Sequence, residues 1–415
     1  VLRLGAYAVT VAKVALAVAA AQPVFSAGGP DAAGYGQALG YPAAQLGQQV
    51  NSQPYMVGSY SHYDAVFPAH TVAKAPNPSP WRRSPQELTL SYSFRGAVYT
   101  VQDYLDRNPA TGLLIARGDT ILFEHYQYGR TDGDRFLSHS MAKTVTAMLI
   151  GIALAEGAIH SIDDPASRYV PELTGSELGA TPLRALLHMA SGTAFTEVYD
   201  GHDDNAALGR ALFGRAGPGP VAAVMAFNSR IAPPDTLWHY ASVNTEVLGL
   251  ALARATGQSL ADYLQSRIWQ KMGAEADAKW TVDNTGQEIG YCCLNATLRD
   301  YARFGRLLAE GGAAGGQQII PRQWIMDATA RPEPGSALAS SGPGFGWGYG
   351  YQTWLLPGSR HDFALEGIHG QRVFIDPQAG LVLVQTAVRV APSHNPGDNE
   401  LVALWNSLVQ QEAGR

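Results

Sequence analysis

Ser140, Lys143 and Tyr240 occur in an order that suits acyl transfer. A serine hydroxyl is a weak nucleophile near neutral pH and needs a base within hydrogen-bond reach. The run Ser140-Met141-Ala142-Lys143 supplies one locally, because residues three apart on a helix share a face. Lysine accepts a proton only when it has lost its own, so this chemistry demands a desolvated Lys143 or one beside another cation. Its neighbours Met141, Ala142, Val145 and Ala147 suit that demand, and they suit any buried helix equally well. A serine at a helix start also offers its backbone N–H to an oxyanion, as helix-terminal anion sites do.

The elements that must hold these residues follow from the patterning. Leu113 to Ala116, a turn at Gly118 and Asp119, and Ile121 to Tyr126 read as a hairpin. Met141, Val145, Met148, Leu149 and Ile152 recur at helical spacing, with Gly157 placed to stop the helix, so Ser140 lies at its start. Residues 182 to 308 mix helical patterns, such as 245–256 and 260–272, with Gly- and Pro-containing loops. After a glycine-rich loop at 342–350, strands at 373–375 and 381–387 flank the turn Asp376-Pro377-Gln378-Ala379-Gly380, and a last helix is expected near 399–411. Strands near both ends with helices between them predict an α/β (α+β) fold: an antiparallel sheet flanked by helices, with an inserted, mostly helical subdomain.

Composition narrows the function classes. With 415 residues, 46% hydrophobic and 15% charged, the chain is able to bury a large core. A net charge of -6 gives no basic field for phosphates, so no nucleic-acid partner is expected. Arg3 and Lys13 precede the apolar run Val14 to Ala21, which reads as a signal peptide over 1–21 and predicts a periplasmic or secreted protein without stable membrane insertion. Residues 22–85, rich in Gly, Ala, Pro, Gln and Tyr, read as an irregular extension, and 86–415 as the catalytic domain. Cys292 and Cys293 are adjacent, and neighbours rarely reach disulfide geometry, so no disulfide framework is expected. No metal and no cofactor are expected: H-E-x-x-H and the P-loop pattern are absent, and no complete G-x-S-x-G elbow occurs.

The motif order resembles the serine β-lactamase and penicillin-binding-protein superfamily, where S-x-x-K is followed by Tyr-x-Asn or Tyr-x-Ser; Tyr240-Ala241-Ser242 fits that place. Segments 161–172, 181–192 and 248–258 resemble it too, so that similarity runs from about residue 85 to 410, closest to the class C branch. By that resemblance the fold is β-lactamase/transpeptidase-like. Tyr240 would exchange protons with Ser140 and the leaving group, while Lys143 keeps one of the two deprotonated; which is the first base stays open. Away from this order, the ordinary role of a tyrosine is to bury its ring and satisfy one hydroxyl.

The family's third element, Lys-Thr-Gly or His-x-Gly, aligns with Leu365-Glu366-Gly367. Gly367 matches and the cation is absent, which disfavours penicillin-like substrates. The Ile368 amide would join that of Ser140 in the oxyanion hole. Residues 366–372 and 240–249 look most like the 6-aminohexanoate-dimer hydrolase group, whose members cleave linear amides and often simple esters.

Around this core several residues have two readings. Glu366 either attracts a substrate ammonium or is a solvated strand-edge charge. Ser242 either orients Lys143 or the substrate, or satisfies a helix-start N–H. His369 either lines the pocket or packs against its turn. Asn244 reads as structural, and Tyr199 to Asp204 as a loop able to cover the pocket. The expectation is a serine hydrolase that acts on small-molecule amides or esters through an acyl-enzyme. The alternatives are β-lactamase or DD-peptidase activity, or a silent peptide-binding member of the fold.

Overall fold

The computed structural model describes residues 20–45, 48–214, 216–333, 336, 338–339, 346–393 and 396–413. Most of the expected leader, 1–21, and part of the glycine-rich loop at 342–350 lie outside the described residues.

A nine-stranded sheet forms the frame. Its hairpin Ala110–Arg117/Thr120–Tyr126 joins Leu381–Ala387, followed by Gln371–Asp376, Phe363–Gly367, Trp354–Leu355 and Gly348–Tyr349, all antiparallel. Every residue of Leu381–Ala387 is buried, as expected of a central strand with helices on both faces. On one face lie Met141–Ala155 and Leu298–Ala309; on the other, Leu401, Leu404, Trp405 and Leu408 of the helix Pro396–Ala413 build a second core.

The helix after Ser140 is buried from Met141 to Ala153, which explains why its sequence is apolar nearly all round. Gly151 allows the Trp324 ring to lie against it: a Cβ there would sit 2.2 Å from the ring. Short helices at 183–187, 204–213 and 220–225, with Ser242–Thr256 and Leu260–Leu264, make the inserted helical part. A four-stranded sheet, Ala69–Val72, Ala278–Thr281, Leu294–Ala296 and Phe136–Leu137, was not foreseen; its last strand leads into Ser140. Among the described residues no helix is long and apolar enough to cross a membrane.

Two expectations need correction. Residues 22–85 are not irregular throughout: Val24–Phe25 and Arg82–Arg83 pair with Thr120–Tyr126, and Gln53–Ser61 is a helix with its last six residues buried. That helix carries no one-sided pattern because it is packed tightly, with Gly58 so close to the chain at Pro42 that a Cβ would lie 2.3 Å from the carbonyl carbon. Tyr35 and Tyr41 of the same segment pack on Tyr128, which ties it to the sheet.

The second correction concerns the cysteines. Cys292 and Cys293 form a disulfide between neighbours, with Cα atoms 3.7 Å apart. Cys293 takes a left-handed backbone (φ 72°), the bend at which the two side chains meet.

Candidate active site

Ser140 is the N-cap of the buried helix, and the residue before it, His139, is held at φ 44°. A left-handed histidine persists only where its surroundings fix it. Here the ring packs against Tyr60 of the amino-terminal helix, 4.9 Å between centroids, and His369, 5.4 Å. The amino-terminal segment thus buttresses the turn that presents Ser140.

One helical turn on, the Lys143 amine lies 2.8 Å from the Ser140 hydroxyl oxygen and donates to the Tyr291 carbonyl at 3.2 Å. Lys143 is only 1% exposed. Burial lowers its pKa from 10.5 to about 8, against the opposing pull of Glu197 and Glu246. Its amine also lies 5.0 Å from the Tyr240 ring centre and 5.2 Å from that of Tyr291.

Tyr240 stacks on Trp354 at 5.9 Å and meets Tyr349 edge-on at 6.1 Å, and its hydroxyl lies beside Ser140. Burial, reinforced by Glu197, pushes its pKa well above the ordinary tyrosine value, so the phenol keeps its proton. The two candidate bases are therefore shifted in opposite senses by the same dry environment.

These groups open on a cavity of about 520 Å³ that Ser140, Tyr240, Gly367 and Ile368 line together. Gly367 ends its strand against the turn that presents Ser140: a Cβ there would lie 2.4 Å from the Ser138 carbonyl oxygen and 3.0 Å from His139. Gly367→Ala should push the strand away from Ser140 and lower kcat about tenfold or more at little cost in KM, since small misplacements of catalytic groups are expensive. Steady-state kinetics on any turned-over ester checks this.

The sequence missed Glu197, which sits in a polar loop with no periodic signal. It accepts from the Ser242 amide and hydroxyl, both at 2.7 Å, and from the Tyr199 hydroxyl at 2.9 Å. The hydroxyl of Ser242 therefore serves neither Lys143 nor a helix-start N–H; it holds Glu197, which in turn faces Lys143 and Tyr240 electrostatically. Tyr199 and Val198 line the cavity, whereas Asp203 caps the helix Asp204–Phe213 and ties the loop by accepting from the Val198 and Tyr199 amides.

The cavity also has a cation, contrary to the expectation drawn from Leu365. Alternation along Phe363–Gly367 turns Leu365 into the core and Glu366 toward the cavity, where its cross-strand partner is Arg372. Arg372 pairs with Glu366 at 2.9 Å and Asp398 at 3.3 Å. Glu366 is thus an ion-paired, largely buried group on an inner strand and not a solvated edge charge; burial raises its pKa to about 7 while Arg372 opposes the rise. His369 packs against its turn, bonding the Arg389 carbonyl at 2.6 Å, and Asn244 is buried with its amide donating to Met189 Sδ at 3.6 Å.

A model of the β-lactamase family matches residues 100–405. The chain is 28% identical over 299 residues to the 6-aminohexanoate-dimer hydrolase of Paenarthrobacter ureafaciens, covering 69% of this chain and 74% of that one. It superposes with a TM-score of 0.78 on a Bacillus anthracis structure provisionally named a 6-aminohexanoate-dimer hydrolase, at 25% identity, covering 89% of this chain and 97% of the other. A D-stereospecific amidohydrolase from Streptomyces sp. shares the fold with a TM-score of 0.53 at 17% identity, over 74% and 94% of the two chains.

Proposed function

This chain belongs to the β-lactamase family of serine hydrolases, and we propose that it cleaves linear amides and short carboxylic esters through an acyl-enzyme on Ser140. The observation that carries the reading is the buried Lys143 amine 2.8 Å from the Ser140 oxygen, with its pKa lowered to about 8.

Lys143 is the first base, because desolvation frees its amine while the same desolvation keeps Tyr240 protonated. Ser140 Oγ attacks the carbonyl carbon as its proton passes to Lys143 Nζ. The Ser140 and Ile368 amides hold the oxyanion, each such donor being worth roughly 3 kcal/mol. Tyr240 gives its proton to the leaving nitrogen or oxygen and regains one from Lys143. Water then adds to the acyl ester and releases the acid and Ser140.

Around the reacting atoms the walls are aromatic, with Trp238, Trp347 and Trp354, and they carry Glu197, Glu366 and Asp398 against the single guanidinium of Arg372. This balance suits a neutral or ammonium-bearing linear substrate, such as the aminohexanoate dimer acted on by the named relative. Arg372 favours the second reading, a β-lactam or D-peptide carboxylate, only if a ligand displaces Glu366 or Asp398 from it. Export is part of the same proposal: the Cys292–Cys293 disulfide belongs with an oxidising compartment.

The test compares parent and Tyr240→Phe on a short p-nitrophenyl ester, the linear aminohexanoate dimer and a penicillin. Loss of the phenolic proton should cost about 10²- to 10³-fold in kcat on the amide, and less on the ester, whose nitrophenolate departs unprotonated. Equal amide rates in the two proteins would remove Tyr240 from the mechanism, and a penicillin turned over faster than either linear substrate would favour the second reading.

A further inference from the structure

The segment behind Lys143 is more heavily fixed than a carbonyl acceptor requires. Lys143 rests on the carbonyl of Tyr291, and the next two residues are the disulfide-linked Cys292 and Cys293, 7% and 2% exposed. On one side of Tyr291 the Gly290 amide donates to the buried carboxyl of Glu246 at 2.9 Å, and the Gly290 carbonyl accepts from Thr146 at 2.8 Å, on the same helix as Lys143. On the other side Trp280 Nε1 bridges the carbonyls of Ile289 and Cys292, at 3.0 and 3.1 Å, and the Cys293 carbonyl takes the Thr281 amide at 3.1 Å. The one bend in this run that ordinary residues resist, φ 72° at Cys293, is the one the disulfide spans.

We infer that the Cys292–Cys293 disulfide is a positioning element for Lys143: it fixes the bend that holds the Tyr291 carbonyl against the lysine amine and keeps water from the amine. The disulfide touches no substrate and takes no part in the chemistry. Without it the 291–293 bend has an extended alternative, the carbonyl turns away, and Lys143 leaves its place beside Ser140. A disulfide serving stability alone would lower Tm on removal and leave the lysine's titration where it was.

This rests on Lys143 as the base, and the test separates the two ideas. The variant Cys292→Ala/Cys293→Ala is compared with the parent for kcat, KM and the pH midpoint of kcat/KM on a short p-nitrophenyl ester. The expected result is a fall in kcat of about tenfold or more, KM within about twofold, and a midpoint moved upward as Lys143 is rehydrated. If the double variant does not fold, the parent treated with a dithiol replaces it: the dithiol is oxidised to its disulfide, and its two electrons and two protons turn the cystine into two thiols. Parent-like kcat and midpoint in the folded material would overturn the inference while leaving Ser140 acylation untouched. Uptake of two alkyl groups by the denatured, unreduced parent would overturn it as well, because the bond would then be absent.

Discussion

Ser140→Ala is expected to abolish turnover, with a loss of about 10³-fold or more in kcat and a Tm within a few degrees of the parent. The residue sits at an N-cap whose side chain makes no capping bond, so its hydroxyl contributes little to the helix. What it does contribute is an oxygen facing the cavity, 2.8 Å from a buried amine and beside the Tyr240 hydroxyl. Removing that oxygen leaves Lys143 its carbonyl partner and leaves the aromatic walls intact, so substrate binding should survive while covalent chemistry does not. Turnover retained in the variant would mean that another nucleophile operates.

The second large effect concerns Lys143. Lys143→Met should lower kcat about 10³-fold, and Lys143→Arg should not rescue it, since a guanidinium stays protonated throughout the accessible range. In the parent, kcat/KM should rise with pH and level off above about 8, where the amine loses its proton. Stability should also rise with pH, across a higher window. The folded lysine binds fewer protons than the unfolded one between about 8 and 10.5, so its contribution to stability rises with pH across that window and its burial penalty is complete below about 8. That penalty is at most about 3 kcal/mol, offset in part by the bonds to Ser140 and Tyr291. Lys143→Met is therefore expected to melt higher than the parent at pH 7, with the gain shrinking as pH rises toward 10.5. A variant less stable than the parent at pH 7, or a parent profile flat from pH 6 to 9, would contradict a desolvated lysine base.

The proposed nucleophile and base, Ser140 and Lys143, stand out because they sit at the start of a strongly patterned helix. Met141 to Ile152 announces a buried helix, and with it the shared face of Ser140 and Lys143; the turn at 376–380 likewise announces the strands Gln371–Asp376 and Leu381–Ala387, the first of which pairs with the strand that ends at Gly367. The remainder was hidden for identifiable reasons. Arg372 enters the cavity only through its cross-strand register with Glu366, which sequence spacing does not encode. Glu197 lies on a loop where every polar residue looks alike, and only its bonds with Ser242 and Tyr199 set it apart. The helix Gln53–Ser61 is packed tightly and carries Gly58 and three serine or tyrosine residues in its second half, so it shows no amphipathic stripe, yet Tyr60 supports the turn before Ser140. The average behaviour of neighbouring residues argues against the disulfide, and the left-handed backbone at Cys293 is the local exception.

The most direct measurement is intact mass and peptide mapping after rapid mixing of the parent with a short p-nitrophenyl ester and acid quenching. A mass increase of one acyl group, mapped to Ser140 in the parent and absent from Ser140→Ala, is the expected result. An acyl group on any other residue, or hydrolysis with a burst of nitrophenolate in both proteins, would contradict nucleophilic catalysis by Ser140.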